Sequence, residues 1–156
     1  MSFSIRTAVP DDAESIASVL RASFAEFNGV FDPPSGALTE TGESVVAQLS
    51  KSTAFVAESD GAIMGCVFCR PEEGDFYLFR LAVLPEHRGA GAGRTLVAAV
   101  EQEAVRRGFG MVRLWTRLAV SNNIPYYENL GYLYTGDAPH PITGRKVHAV
   151  MVKKVG

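Results

Sequence analysis

The chain has 156 residues, is 47% hydrophobic and 21% charged, and carries 15 basic and 17 acidic side chains for a formal net charge of -2. That length predicts one domain over residues 1–156, large enough to bury roughly 70% of its unfolded surface without disulfides or metal. The composition excludes disordered and fibrous classes, and the near-neutral balance lacks the basic excess of a nucleic-acid binder.

Nothing at the N-terminus, from Met1 to Arg6, resembles a signal peptide. No apolar run approaches the roughly 20 residues of a membrane span. The expected location is therefore the cytoplasm, with no membrane partner. Ser2 to Thr7 reads as a short strand. Pro10-Asp11-Asp12 opens a helix, with acids suited to the positive end of its dipole. Ala13, Ile16, Ala17, Leu20, Phe24 and Phe27 follow at helical spacing and mark its core side. Asn28 to Leu38 is a loop rich in Pro and Gly, long enough to suggest a binding role. Glu40 to Lys51 reads as a second helix, with Val45, Val46 and Leu49 as its apolar side.

Two strands flank Asp60-Gly61, a strong hairpin signal. The second carries both cysteines, as Cys66-Val67-Phe68-Cys69. A C-x-x-C is also a redox or zinc pattern. On a strand, however, residues three apart point to opposite faces, so the thiols are expected to be small buried groups. His87, His140 and His148 have no metal-ligand spacing, and no metal site is expected. After a turn at Pro71 to Gly74, Phe76 to Leu84 is a strand and Arg88 to Gly93 a glycine-rich turn. Arg94 to Arg107 is a helix with Leu96, Val97, Val100 and Ala104 on one face. Met111 to Thr116 is a strand, Ser121 to Leu130 a short helix, and Tyr132 to Thr135 and Lys146 to Lys153 close the sheet. The order is β-α-α-β-β-β-α-β-α-β-β, an α/β (α+β) domain with a mixed sheet.

The segment from Leu81 to Arg94 carries the most chemistry: a strand, a glycine turn, then a helix. Unpaired N–H groups and the dipole at a helix start attract phosphate, and glycines let its oxygens approach the main chain. A dinucleotide fingerprint fails because Arg94 or Leu96 stands where its last glycine is required. A nucleoside-triphosphate loop fails because Gly93-Arg94-Thr95 lacks the lysine. What remains is R-x-x-G-x-G, formed by Arg88, Gly91 and Gly93, and a pyrophosphate cradle is the favoured reading.

Leu81 to Leu96 resembles the acetyl-coenzyme A signature of the GNAT superfamily of N-acetyltransferases. Asn123 to Tyr132, Asn-Ile-Pro-Tyr-Tyr-Glu-Asn-Leu-Gly-Tyr, is similar to that family's second hallmark, a helical tyrosine four residues before Gly-aromatic. The resemblance implies a mostly antiparallel sheet flanked by helices, with one splayed parallel strand pair holding acetyl-CoA. It implies main-chain contacts to the pantetheine arm from Leu81, Ala82 and Val83, the Val83 N–H also polarising the thioester oxygen. It implies a pyrophosphate held by Arg88, Gly89, Ala90, Gly91, Ala92, Gly93 and Arg94, and a cofactor contact from Asn123. Tyr127 would be the general acid for the leaving thiolate, with Tyr126 the core residue of the pair. Phe24, Phe27, Phe31 and the Pro33-Pro34 turn would line the acceptor side, and the Pro139 to Arg145 loop would cover the opposite wall.

The implied activity is acetyl transfer to a primary amine, of a small molecule or a peptide, by direct attack in a ternary complex. A homodimer is a weak implication. One departure concerns the base: many members carry a glutamate where this chain has Tyr77. Glu72, Glu73, Asp75 and His148 are candidates, and none is assigned. The missing glutamate also leaves open a non-catalytic acyl-CoA-binding module. Glu26, Asp32, Glu40 and Glu43 near the acceptor side are available to attract a cationic amine.

Overall fold

The computed structural model describes residues 2–32, 34–120 and 122–156. Pro33, expected in the acceptor loop, and Ser121, expected to open the last helix, lie outside the described residues. The elements follow the expected order. They are β1 (Ser4–Thr7), α1 (Ala13–Phe24), α2 (Gly42–Leu49), β2 (Thr53–Ser59), β3 (Ala62–Glu72), β4 (Asp75–Val83), α3 (Ala92–Arg106), β5 (Met111–Arg117), α4 (Asn123–Asn129), β6 (Leu133–Pro139) and β7 (Lys146–Lys154).

Several boundaries move for local reasons. Pro10–Asp12 is a 3₁₀ turn ahead of α1, because Asp12 turns back to accept the Val9 N–H and two bonds from Arg6. α2 starts at Gly42 rather than Glu40, since Thr41 caps it through the Ser44 N–H. Pro71 lies within β3, not in a turn, and the reversal is made by Glu73 and Gly74 at φ 52° and 87°. Asp60 and Gly61 make the equivalent hairpin at φ 53° and 78°. Gly93 belongs to α3, not to the preceding turn, and Pro139 belongs to β6 rather than to the following loop.

The seven strands form one sheet in the order β1-β2-β3-β4-β5-β7-β6. All neighbours are antiparallel except β4 and β5. The two-residue alternation of the strands divides the core between the faces. On one face α3 packs Leu96, Val97, Val100 and Ala104 against Val67, Cys69, Phe76, Leu78, Val112 and Leu114. On the other, α1 and α2 pack Ile16, Leu20 and Val45 against Val56, Cys66 and Phe68. Cys66 and Cys69 therefore lie on opposite sides of the sheet, both buried and both free. Burial pushes each thiol up to about 12. Among the described residues no helix is long and apolar enough to cross a membrane.

Two features of the sheet create the site. First, Phe68 pairs with Phe79 but Cys66 pairs with Ala82, so β4 carries one extra residue in that interval. Arg80 takes it up at φ 55°, a conformation that costs a non-glycine residue about 1–2 kcal/mol. Second, the parallel pairing of β4 with β5 covers only Phe76 to Leu78. Beyond Leu78 the two strands part, and β4 runs on with no register partner on that edge among the described residues.

Candidate functional site

An open cleft of about 1300 Å³ runs through the parting of β4 and β5. It is larger than a typical small-ligand site of ~300–1000 Å³. Its floor is Leu81, Ala82 and Val83 of the bulged strand. The extra residue at Arg80 interrupts the ladder on β3, which resumes at Ala82 and Val83, and the end of the β5 pairing frees the other edge. Main-chain groups here are thus available to a ligand with amides of its own.

At one end lies the glycine turn. Gly89 and Gly91 both sit at φ 88°, and Gly91 caps α3 in the left-handed region. No side chain fills the space where a Cβ would stand on either. Gly93 is different: its backbone is ordinary helix, but a Cβ there would lie 2.6 Å from the Tyr126 Oη. The turn thus brings main chain, not side chains, to the start of a 15-residue helix. Gly89, Gly91, Ala92, Gly93 and Arg94 line the cleft as expected, whereas Ala90 is not among its lining residues. Arg88 lines it too, but its guanidinium points away from the turn. It donates to the Val83 carbonyl at 3.2 Å and the Ser23 carbonyl at 3.1 Å, and pairs with Glu26. Arg88 is a strut between the turn and the end of α1, whereas Arg94 has no ion-pair partner among the described residues.

The second expected motif faces the same cleft from α4. Tyr127 is only 8% exposed, packs edge-on to Tyr126 and Tyr132, and belongs to the α3-side core. Tyr126 is 40% exposed, which overturns the expectation that it is the core residue of the pair. The reason is the angle at which α4 meets the sheet, a tertiary quantity that two adjacent tyrosines do not encode. Burial raises both phenols above their ordinary range, so both are neutral proton donors at physiological pH. Asn123 donates to Thr116 at 2.7 Å and ties the start of α4 to the end of β5.

The other end of the cleft is aromatic and cationic. Phe24, Phe27 and Phe31 line it as expected, with Phe27 stacked on Phe31 at 5.0 Å. Tyr77, Phe79, Trp115, His140 and His148 complete the wall; of these, Phe79 and Trp115 were read only as strand residues. Tyr77 stacks on Phe79 at 5.2 Å, and Arg70 lies over both rings. His148 sits between Trp115 and His140. Burial, with help from the charge of Arg117, lowers its imidazole to about 4. The β6–β7 loop does close the far wall, for Arg145 reaches across to Asp32.

The acids expected to attract a cation are mostly committed. Glu26 faces Arg88, Asp32 faces Arg145, and Glu40 faces Arg80 while accepting the Ser44 hydroxyl. Glu43 does not line the cleft. Of the candidate bases, Glu72 and Glu73 line it, but they face Arg70 and Arg113. Asp75 also lies beside Arg113, at 3.9 Å and outside the lining. Arg80 was missed by inspection of the sequence. It props the bulge against the acceptor loop, near Glu40 at 3.7 Å and Ser35 at 3.5 Å. Only the unpairing of β4 makes it distinctive.

A bulged strand parting from its parallel neighbour, followed by a glycine turn and a helix start, defines a fold built to receive a phosphate-bearing ligand along a strand edge. The chain belongs to the GNAT acetyltransferase family, whose model matches residues 18–132. It is 34% identical over 90 residues to mouse N-acetyltransferase 8, covering 54% of this chain and 40% of that protein. It is 31% identical over 110 residues to mouse N-acetyltransferase family 8 member 3, covering 66% and 49%. The chain thus spans less than half the length of these curated relatives. Among solved structures, the ribosomal-protein-S18-alanine N-acetyltransferase of Escherichia coli superposes with a TM-score of 0.77 at 21% identity, over 99% of this chain and 95% of that one. The PaiA N-acetyltransferase of Thermoplasma acidophilum, solved with coenzyme A, gives 0.77 at 22% identity over 99% of both chains. At these identities the structural likeness speaks to the fold, the expected mostly antiparallel sheet with one parallel pair.

Proposed function

We propose that the chain transfers an acetyl group from acetyl-CoA to a primary amine by direct attack in a ternary complex. The observation that carries this is the parting of β4 from β5 after Leu78, on the strand that leads into the glycine turn. The residues fit the cofactor: Leu81, Ala82 and Val83 offer main chain to its amides, and Gly89, Gly91, Ala92 and Gly93 offer N–H groups to its pyrophosphate, with Arg94 beside them. Acetyl-CoA supplies the activated thioester.

The remaining work falls to the chain. The Val83 N–H would polarise the thioester oxygen as charge builds there. The amine arrives from the aromatic end of the cleft and forms the new N–C bond while the C–S bond breaks. Tyr127, neutral because it is buried, gives its proton to the departing sulfur. The nitrogen loses a proton to water in the open cleft and water returns one to Tyr127, while Tyr77, a neutral phenol held above its ordinary range by burial, takes no part as a base. Asn123 holds α4, and hence Tyr127, against β5 through Thr116.

Replacing Tyr127 with Phe tests the assignment. Loss of a general acid lowers turnover roughly 10²–10⁴-fold, while acetyl-CoA affinity by calorimetry stays near wild type. Unchanged turnover in thiol release, with an amine the parent protein accepts, removes Tyr127 from the mechanism. Tight acetyl-CoA binding with no release across a broad amine panel favours a binding module instead.

A further inference from the structure

Six arginines line the cleft: Arg70, Arg80, Arg88, Arg94, Arg113 and Arg117. Four of them face a carboxylate, namely Glu72, Glu40, Glu26 and Glu73 respectively for Arg70, Arg80, Arg88 and Arg113. Arg94 and Arg117 have no acidic partner within ion-pair distance among the described residues. Arg94 stands at the glycine turn, where the pyrophosphate accounts for it. Arg117 stands at the opposite, acceptor end. It is the last residue of β5 and pairs in register with His148.

Its surroundings hold the guanidinium without neutralising it. One face lies over the Phe31 ring at 4.9 Å. One Nη donates to the Pro34 carbonyl at 3.5 Å, a long bond. The neighbouring imidazole of His148 is neutral and contributes no negative charge. A partly desolvated cation without a counter-charge is costly to keep, and a planar fork with free edges is matched to a carboxylate. The Phe31 ring beneath it is stacked on Phe27, and Trp115, two residues earlier on β5 and 36% exposed, lines the same cleft.

We propose that Arg117 binds a carboxylate carried by the acceptor, so that the acceptor is a small primary amine with both a carboxylate and an apolar side chain. Apolar α-amino acids are the simplest members of that class. A single guanidinium, with no lysine lining the cleft, matches one monoanionic group better than a phosphate. The inference rests on the proposed acetyl transfer and adds to it where the second substrate is anchored. It also accounts for an acceptor end whose acids are already paired to arginines, which is poorly suited to a polycation.

The test compares matched pairs that differ only in the carboxylate: phenylalanine with 2-phenylethylamine, and leucine with 3-methylbutylamine. With the full chain and acetyl-CoA, kcat/KM from thiol release is expected to favour the amino acid by about 30-fold or more, the scale of a desolvated charge pair. Arg117→Gln is expected to bring that ratio close to one, and Arg117→Lys to restore part of it. The ratio cancels any general loss of activity from the substitution. A wild-type ratio at or below one, or a ratio unaltered in Arg117→Gln, overturns the subsite. If no pair turns over, binding of N-acetylphenylalanine and N-acetyl-2-phenylethylamine to the CoA-saturated protein is compared by calorimetry, and equal or absent binding overturns it equally. Failure of the acetyl-transfer reading is seen separately, as no stabilisation by acetyl-CoA and no thiol release with any amine.

Discussion

Gly93 offers a clean separation between folding and cofactor binding. It is a helical residue with ordinary backbone, so alanine there gains up to about 1 kcal/mol of helix propensity. Against this, the new Cβ would stand 2.6 Å from the Tyr126 Oη. Tyr126 is 40% exposed, so its ring can swing outward at a cost of about 1 kcal/mol. The two effects nearly cancel, and the melting temperature of Gly93→Ala is expected within about 2–4 °C of the parent. Binding should not follow. On the proposed reading, the methyl group and the Tyr126 ring it displaces crowd the approach of the pyrophosphate to the helix N–H groups. Losing one such charged hydrogen bond costs about 1.5–3 kcal/mol, which is roughly 10- to 100-fold in Kd. Gly91→Ala is the converse control. Nothing crowds its Cβ, but at φ 88° alanine costs about 1–2 kcal/mol, a fall of about 2–8 °C. Differential scanning calorimetry and titration with coenzyme A measure both quantities on the same samples. Parental affinity in Gly93→Ala would refute the cradle.

Three further outcomes are expected. Arg80→Gly relieves a left-handed backbone as it removes the contacts to Ser35 and Glu40, whereas Arg80→Ala loses the contacts and keeps the strain. The glycine variant should thus be the more stable of the two by about 1 kcal/mol in urea unfolding, and the reverse order would refute the bulge argument. His148, held at about 4 against an ordinary 6.5, binds its proton more readily when unfolded. Its contribution is therefore complete above pH 6.5 and is lost as pH falls towards 4. After discounting for its partial exposure this amounts to about 1 kcal/mol, and His148→Asn should flatten that part of the pH profile. Both cysteines, buried and raised to about 12, should resist iodoacetamide at neutral pH in the native protein and react only on unfolding. Labelling of native protein, read by mass spectrometry, would contradict their placement.

How far each element was legible depends on how local its cause is. The stripe Leu96, Val97, Val100 and Ala104 is a consequence of helical pitch, and all four are buried. The opposite facing of Cys66 and Cys69 follows from strand pleat alone. The glycine turn is legible because only residues without a Cβ meet both its φ values and its exposure to a ligand. Tyr126, expected to be the core residue of the pair, is the more exposed one, since their relative burial depends on the approach of α4 to β5. The pairing of Arg88 with Glu26, 62 positions apart, was equally invisible.

The sequence by itself determined the order of elements, which face of each is apolar, and the glycine turn at the start of α3, because these arise from periodicity and from backbone freedom over a few residues, whereas the helical tyrosine was read from the family resemblance. Only the tertiary structure decided the chemistry of the acceptor end. Placing β7 between β5 and β6 brings His148 beside Arg117 and Trp115. Arg80, Arg88 and Arg145 then pair with Glu40, Glu26 and Asp32, acids that a one-dimensional reading leaves free. Charge in a cleft is a sum over partners distant in the chain, and no local pattern fixes which arginine is left without one.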